Sequence, residues 1–273
     1  MITLTKSELR ALGNFYHVTD KELLILFSSI LKKTYSETFF EKSFKISEND
    51  FKILKSHLSR RQKMEPISKI IQQKEFYGIT YKTNAYTLDP RPETELIIDL
   101  FRRHYKDINL NLKILDLGCG TGCIGLTILT LYRNIFCEFV DISPEALNIA
   151  VENANNLRLS KRCLFTISDW FSQIDGKYDV ILSNPPYIST DYKLEKEVLF
   201  DPSIALFAEN NGIESIQKII SEAKNFLTSN GMLFMEIGFD QMERVKNIKT
   251  KLKIIEIAKD FGGIYRGAVF ENA

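Results

Sequence analysis

Residues 113–122 read KILDLGCGTG, an apolar strand-like run that breaks into a glycine loop. Glycines are needed where a backbone must turn sharply or approach a ligand with no Cβ in the way. A glycine fingerprint alone is weak evidence, because dinucleotide and S-adenosylmethionine sites both use one. Here a helical pattern follows the loop, and an acid, Asp141, ends the next strand 23 positions beyond Gly118. That acid is placed to accept hydrogen bonds from ribose hydroxyls, which both ligands carry. The form D-x-G-x-G-x-G, with Asp116 ahead of Gly118, favours S-adenosylmethionine, which has no pyrophosphate to seat on a helix N-terminus. The candidate cofactor loop is Gly118, Cys119, Gly120, Thr121 and Gly122, with Asp141 beside it.

Outward from the loop, strand and helix patterns alternate. Strands are expected at 113–118, 136–142, 163–168, 179–184 and 231–238, with helices after Gly122, after Ser143 and over 213–227. Ser143-Pro144-Glu145 is a well-formed helix start: a capping hydroxyl, Pro in the first turn and an acid near the positive dipole end. Near-continuous apolar strands alternating with helices imply a parallel sheet covered on both faces. The tail differs, because residues 253–260 and 264–272 read as two strands joined by a short glycine-containing turn. A terminal antiparallel hairpin is typical of the methyltransferase variant of this architecture, whereas nucleotide-binding oxidoreductases usually close with a parallel strand. The expected fold class is therefore α/β: the class I S-adenosylmethionine-dependent methyltransferase fold, a seven-stranded mixed sheet with a C-terminal antiparallel hairpin.

Residues 1–74 read as a small helical domain. Thr19 to Glu22 and Ser47 to Asp50 have capping-box spacing ahead of apolar residues on one helical face. The basic run Arg60-Arg61-Gln62-Lys63 reads as a solvated helix end. Residues 75–90, rich in Tyr, Thr and Phe, read as a β-hairpin linker, and 91–273 as the catalytic domain. Pro92 is expected to open a helix.

The bulk properties narrow the class. The chain has 273 residues, 44% hydrophobic and 26% charged, with a formal net charge of +1. That balance gives no overall push toward nucleic acid or membrane. Four cysteines form no C-x-x-C pair and three histidines are dispersed, so no metal is expected and the thiols read as reduced. No signal peptide and no membrane-spanning run is legible, so a soluble, cytoplasmic monomer is expected.

Two further segments lie on the rim that carries the glycine loop. Ser168-Asp169-Trp170 ends the third strand; Trp170 is the only Trp, and Asp169 could accept from an adenine amino group. At the end of the fourth strand comes Asn184-Pro185-Pro186-Tyr187. Consecutive prolines cannot continue a sheet, and open α/β sheets place their active sites at this end of the strands. A planar amide or aromatic amine is a poor nucleophile because its lone pair is delocalised. Methylating it requires in-line geometry and acceptors that hold the NH₂ so that the lone pair faces the methyl group. The Asn184 side-chain oxygen and the Pro185 carbonyl can form such a clamp, and Tyr187 can pack on the planar group. Catalysis of this kind is positioning and electrostatics, with no strong base required.

With NPPY, DLGCGTG, DISPEAL, PRPETE (Pro90 to Glu95), DPSIAL and EIG all present, the sequence resembles the protein-(glutamine-N5) methyltransferases of class I peptide-chain release factors. The likeness covers about residues 60–270, with a helical domain of suitable size before it. It implies the glutamine of the Gly-Gly-Gln loop as substrate, gripped partly by the N-terminal helices and hairpin. It also implies that Gly118 to Gly122, Asp141, Trp170 and Asn184 contact S-adenosylmethionine, that Asn184, Pro185, Pro186 and Tyr187 contact the glutamine, and that Arg91 and Glu93 lie near the substrate entrance. The chain departs from the family pattern at Ser68 to Gln73 and at Thr87-Leu88-Asp89.

NPPY is shared with N6-adenine nucleic-acid methyltransferases, the first alternative, although a nearly neutral chain and the PRPETE segment argue against it. A non-catalytic S-adenosylmethionine-fold binding protein is the second, but it would be expected to have lost the glycine loop or the Asn.

Overall fold

The computed structural model describes residues 1–273. The chain forms two compact units, residues 1–73 with 194–200, and residues 74–193 with 201–273.

In the first unit, helices run over Lys6–Phe15, Asp20–Leu31, Tyr35–Phe40, Glu48–Gln62 and Ile67–Ile71. The capping boxes at Thr19/Glu22 and Ser47/Asp50 form, and Thr5/Glu8 and Thr34/Glu37 add two more. Each satisfies backbone N–H groups that a helix start leaves without partners. Leu23, Leu26, Phe27, Leu54 and Leu58 are buried in one core. The structure adds an element that the helical reading omits, a ribbon pairing Ile2–Thr5 antiparallel with Ser43–Ile46. Four-residue strands show too little alternation to stand out between helices. Arg61 is also no solvated helix end: its guanidinium bonds Glu22 at 2.6 Å and Glu197 at 2.8 Å, and its side chain is only 14% exposed.

Two short paired strands follow, Gln73–Phe76 and Ile79–Lys82. Residues 83–91 then leave the hairpin as a loop, so the second strand is shorter than the Tyr/Thr-rich composition suggests. Pro92–Thr94 makes a 3-10 turn leading into the helix Glu95–His104.

The sheet of the second unit has seven strands, labelled along the chain: β1 Lys113–Leu117, β2 Phe136–Asp141, β3 Cys163–Ile167, β4 Tyr178–Ser183, β5 Leu227–Glu236, β6 Lys253–Lys259 and β7 Tyr265–Glu271. Their order is β6-β7-β5-β4-β1-β2-β3. β5, β4, β1, β2 and β3 are mutually parallel, while β7 runs antiparallel to both β5 and β6. β5 begins four residues before the expected Gly231, because a bulge between Leu227 and Met232 interrupts its alternation.

Strand periodicity of two sends alternate residues to opposite faces. Val180 and Leu182 enter a core with helices Glu95–His104, Cys123–Leu131 and Pro144–Asn156. Ile181 enters the opposite core, with Ile216, Ile219 and Ile220 of helix Glu214–Glu222. Both faces are covered, so the C-terminal strand ends form the rim where loops can build a site.

Candidate active site

A cavity of about 300 Å³ opens at the C-terminal ends of β1 to β4. Its wall includes Gly118 to Thr121 from β1, Asp141 from β2, Asp169 and Trp170 from β3, and Asn184 and Pro186 from β4. Arg91 closes it from the loop ahead of the first helix of this unit. Five segments scattered through the sequence thus meet at one place.

The glycine loop has the shape a ligand cradle requires. Gly118 has φ +72°, and a Cβ built on it would stand 3.3 Å from the Trp170 ring. Both facts disfavour a side chain there and bring the indole against bare backbone. The N–H groups of Gly120 and Ser143 donate to the two Asp141 carboxylate oxygens at 2.8 and 2.9 Å. Each oxygen keeps acceptor capacity for a hydroxyl. Burial raises the Asp141 pKa, and the backbone N–H groups of Ser143, Gly120 and Ile142 oppose that rise.

Asp116 lies under the loop. On β1 it shares the face of Ile114, toward helix Cys123–Leu131, and accepts the Gly125 N–H at 2.9 Å. It thereby satisfies one N–H of that helix's first turn. Its other oxygen, Oδ1, is buried with no hydrogen-bond partner. Burial pushes the carboxyl up to about 7. Cys119 and Cys123 beside it are free thiols whose pKa values burial also raises, Cys123 to about 12. Neither is an activated nucleophile at neutral pH.

NPPY is fixed from several sides. Ser183, the last residue of β4, donates to the Leu117 carbonyl at 2.8 Å. The Asn184 Nδ2 donates to the Thr94 hydroxyl at 3.0 Å, and Thr94 donates to Glu236 at 2.6 Å. The other Glu236 oxygen accepts the Tyr187 hydroxyl at 2.9 Å. With Nδ2 committed to Thr94, the Asn184 Oδ1 is the end of the amide left as an acceptor. Burial raises the pKa of Glu236 and of Tyr187. The Gln241 amide donates to the carbonyls of Tyr187 at 3.0 Å and Gly212 at 2.9 Å. A Cβ on Gly212 would come within 2.2 Å of the Tyr187 carbonyl oxygen, so only glycine permits this approach.

Other expected site residues are placed less simply. Asp169 borders the cavity but is ion-paired with Lys218 at 3.2 Å. Arg91 pairs with buried Asp201, which also accepts the Asp89 N–H at 3.2 Å. The Thr87-Leu88-Asp89 departure therefore forms cavity wall, with Thr83 donating to Asp89 at 2.7 Å. Glu93 is exposed, and its charge raises the pKa values of Tyr187 and Glu236. Gly122 begins helix Cys123–Leu131, and Pro185 is buried.

The chain is similar to known methyltransferases. Residues 92–264 match the methyltransferase small domain family. The release factor glutamine methyltransferase of Buchnera aphidicola subsp. Baizongia pistaciae is 37% identical over 237 residues, covering 85% of this chain and 84% of that protein. The chain belongs to the release factor glutamine methyltransferase family. The family's Lactococcus lactis protein is 37% identical and covers 80% of this chain and 82% of its own length. A Rickettsia prowazekii bifunctional methyltransferase is 34% identical over 83% of this chain, which spans 48% of that longer protein. Among solved structures, the Thermus thermophilus 16S rRNA N2 G1207 methyltransferase, in complex with AdoMet and guanosine, has a TM-score of 0.51 at 15% identity. It covers 74% of this chain and 50% of its own, and shows a shared fold.

Thr94, Glu236, Asp201 and Gln241 hold the site together, yet their roles were not legible in the sequence. The first three lie in the PRPETE, EIG and DPSIAL segments, which mark the family without saying what touches what. One signal was present: Glu236 is an acid inside the apolar run GMLFMEIG, at the strand end where a site is expected.

Proposed function

We propose that this chain transfers a methyl group from S-adenosylmethionine to the side-chain amide nitrogen of the glutamine in the Gly-Gly-Gln motif of class I release factors, a modification of the translation termination machinery. The carrying observation is the chain of hydrogen bonds from Asn184 through Thr94 and Glu236 to Tyr187. It orients the Asn184 acceptor at a cavity whose glycine loop and Asp141 suit an adenosine-bearing ligand, and it fixes the Tyr187 ring behind the cavity wall formed by Asn184 and Pro186.

Gly118 to Gly122 would pass along the cofactor backbone, Asp141 would accept its ribose hydroxyls, and Trp170 and Asp169 would border its base. When bound, S-adenosylmethionine supplies an electrophilic methyl group on a sulfonium. Asn184 Oδ1 and the Pro185 carbonyl would accept the two N–H bonds of the glutamine amide, and Tyr187 would pack on its plane. Amide nitrogen becomes acidic once it carries the new methyl, so its proton can leave afterwards to water. The raised pKa of Tyr187 keeps its hydroxyl protonated as a donor to Glu236, which suits a positioning role.

The N-terminal helices would help hold the release factor, and the protein would act in the cytoplasm as a monomer. A net charge of +1 supports a protein substrate over nucleic acid. Incubation with labelled S-adenosylmethionine and a purified release factor, DNA or ribosomal RNA tests the assignment. Label is expected in the release factor alone; label only in nucleic acid contradicts it.

A further inference from the structure

One half-buried cation beside NPPY, whose charge acts on Glu236 and Tyr187, is given no contact with the substrate in that mechanism. Arg266, on β7, keeps only 17% of its side chain exposed. Its guanidinium lies 5.9 Å from the ring centroids of both Tyr187 and Phe239. Ring faces stabilise the charge but do not accept from in-plane N–H groups. The buried Nε has no hydrogen-bond partner, and Asp260, its ion-pair partner, stands 3.7 Å away, beyond hydrogen-bonding range. β7 sets Arg266 at the C-terminal end of β5, where its carbonyl accepts the Ile237 N–H at 2.8 Å, next to Glu236. The Nε is sealed inside, so the Nη end of this rigid planar fork is the part open to an acceptor beside the motif.

The surroundings select the missing acceptor. A phosphate or a nucleic-acid backbone would need several cations together. Here the charges around the motif are acidic: Asp260 beside Arg266, Glu236, whose carboxylate Arg266 favours, and Glu93, whose field reaches Tyr187 and Glu236. The Phe239 ring beside it is apolar and exposed, as are two residues of the turn that leads into β7. Phe239 flanks the guanidinium, and Phe261 and Ile264 sit in the turn between β6 and β7. One fork-shaped donor with an apolar rim and no positive cluster fits neutral peptide carbonyls.

We propose that Arg266 binds the main chain of the protein substrate, donating to backbone carbonyl oxygens next to the methylated glutamine, with Phe239 and the β6–β7 turn as the apolar rim. This rests on the glutamine methyltransferase reading and assigns a substrate-binding residue outside NPPY. In the enzyme, Arg266 fixes the peptide while Asn184 and Tyr187 fix the side chain.

Steady-state methylation with release factor varied at saturating S-adenosylmethionine tests it, using the unaltered protein, Arg266→Lys and Phe239→Ala, with cofactor affinity measured by calorimetry. Arg266→Lys keeps the charge and loses the fork. It is expected to raise KM for the release factor about tenfold or more, with kcat changed less and cofactor Kd within about twofold. Phe239→Ala is expected to raise KM in the same sense. A fall in kcat at unchanged KM in Arg266→Lys overturns the assignment, since Arg266 would then act only through Tyr187. If Arg266→Lys does not fold, an unchanged KM in Phe239→Ala overturns it. No methylation of a release factor by the unaltered protein overturns the underlying function as well, which separates the two failures.

Discussion

Thr94 donates a 2.6 Å hydrogen bond to Glu236, 142 residues further along the chain. That bond ties the turn before helix Glu95–His104 to the end of β5. Because Thr94 also accepts from Asn184 Nδ2, its hydroxyl fixes the orientation of the Asn184 amide and so where its acceptor, Oδ1, points. Thr94→Val keeps the shape and removes the relay. Its kcat is expected to fall by roughly tenfold, as for loss of one buried hydrogen bond, with cofactor Kd little changed and Thr94→Ser restoring most of the rate. Equal rates for the valine and serine variants would show that the relay has no catalytic consequence.

Asn184 carries the acceptor itself. Asn184→Ala is expected to lower kcat on the order of a hundredfold, as removal of one well-placed polar group does in other active sites. Cofactor affinity should also weaken, since Asn184 borders the cavity. Single-turnover methylation separates the two effects, and a near-normal rate would refute the role.

The cofactor side is tested at Gly118. In Gly118→Ala the new Cβ would sit 3.3 Å from Trp170 on a backbone with φ +72°. The left-handed conformation costs a non-glycine residue about 1 kcal/mol, and the indole must also shift. Calorimetry should show S-adenosylmethionine affinity reduced by roughly tenfold, a larger loss than in Thr94→Val. Unchanged affinity would mean that the loop does not form the ligand contact.

Asp116 gives the chain a pH signature. Burial holds its carboxyl at about 7, above the ordinary value of 3.8. A raised folded-state pKa means that folding favours the protonated form. Its stabilising contribution is complete below about pH 4 and is lost as pH rises through about 7. Asp116→Asn removes that dependence while keeping an acceptor for the Gly125 N–H. Denaturant unfolding should show the variant gaining on the wild type between those pH values, by on the order of 4 kcal/mol. Parallel pH profiles for the two proteins would contradict a buried, titrating Asp116.

The parts of the fold visible in the sequence were those with strong periodicity or stiff backbone chemistry. The apolar runs 113–118 and 179–184 announced parallel strands, Ser143-Pro144 a helix start, and the tail a hairpin, and all appear as elements of the sheet unit. The ribbon at Ile2–Thr5 and Ser43–Ile46 did not stand out, because two four-residue strands 40 residues apart leave no local pattern. The site divides the same way. Residues on consecutive strand ends could be placed on one rim by topology alone. The Thr94–Glu236 bond and the Arg61–Glu197 pair join residues far apart in the chain, and only the folded structure brings them together.

The central claim is that NPPY positions a glutamine amide for methyl transfer. Its most direct test is peptide mass spectrometry of a class I release factor after incubation with S-adenosylmethionine and either the unaltered protein or Asn184→Ala. The account predicts one added methyl on the side-chain nitrogen of the Gly-Gly-Gln glutamine with the unaltered protein, formed at least tenfold more slowly with the variant. No methyl on that glutamine, or an equal rate with Asn184→Ala, would contradict it.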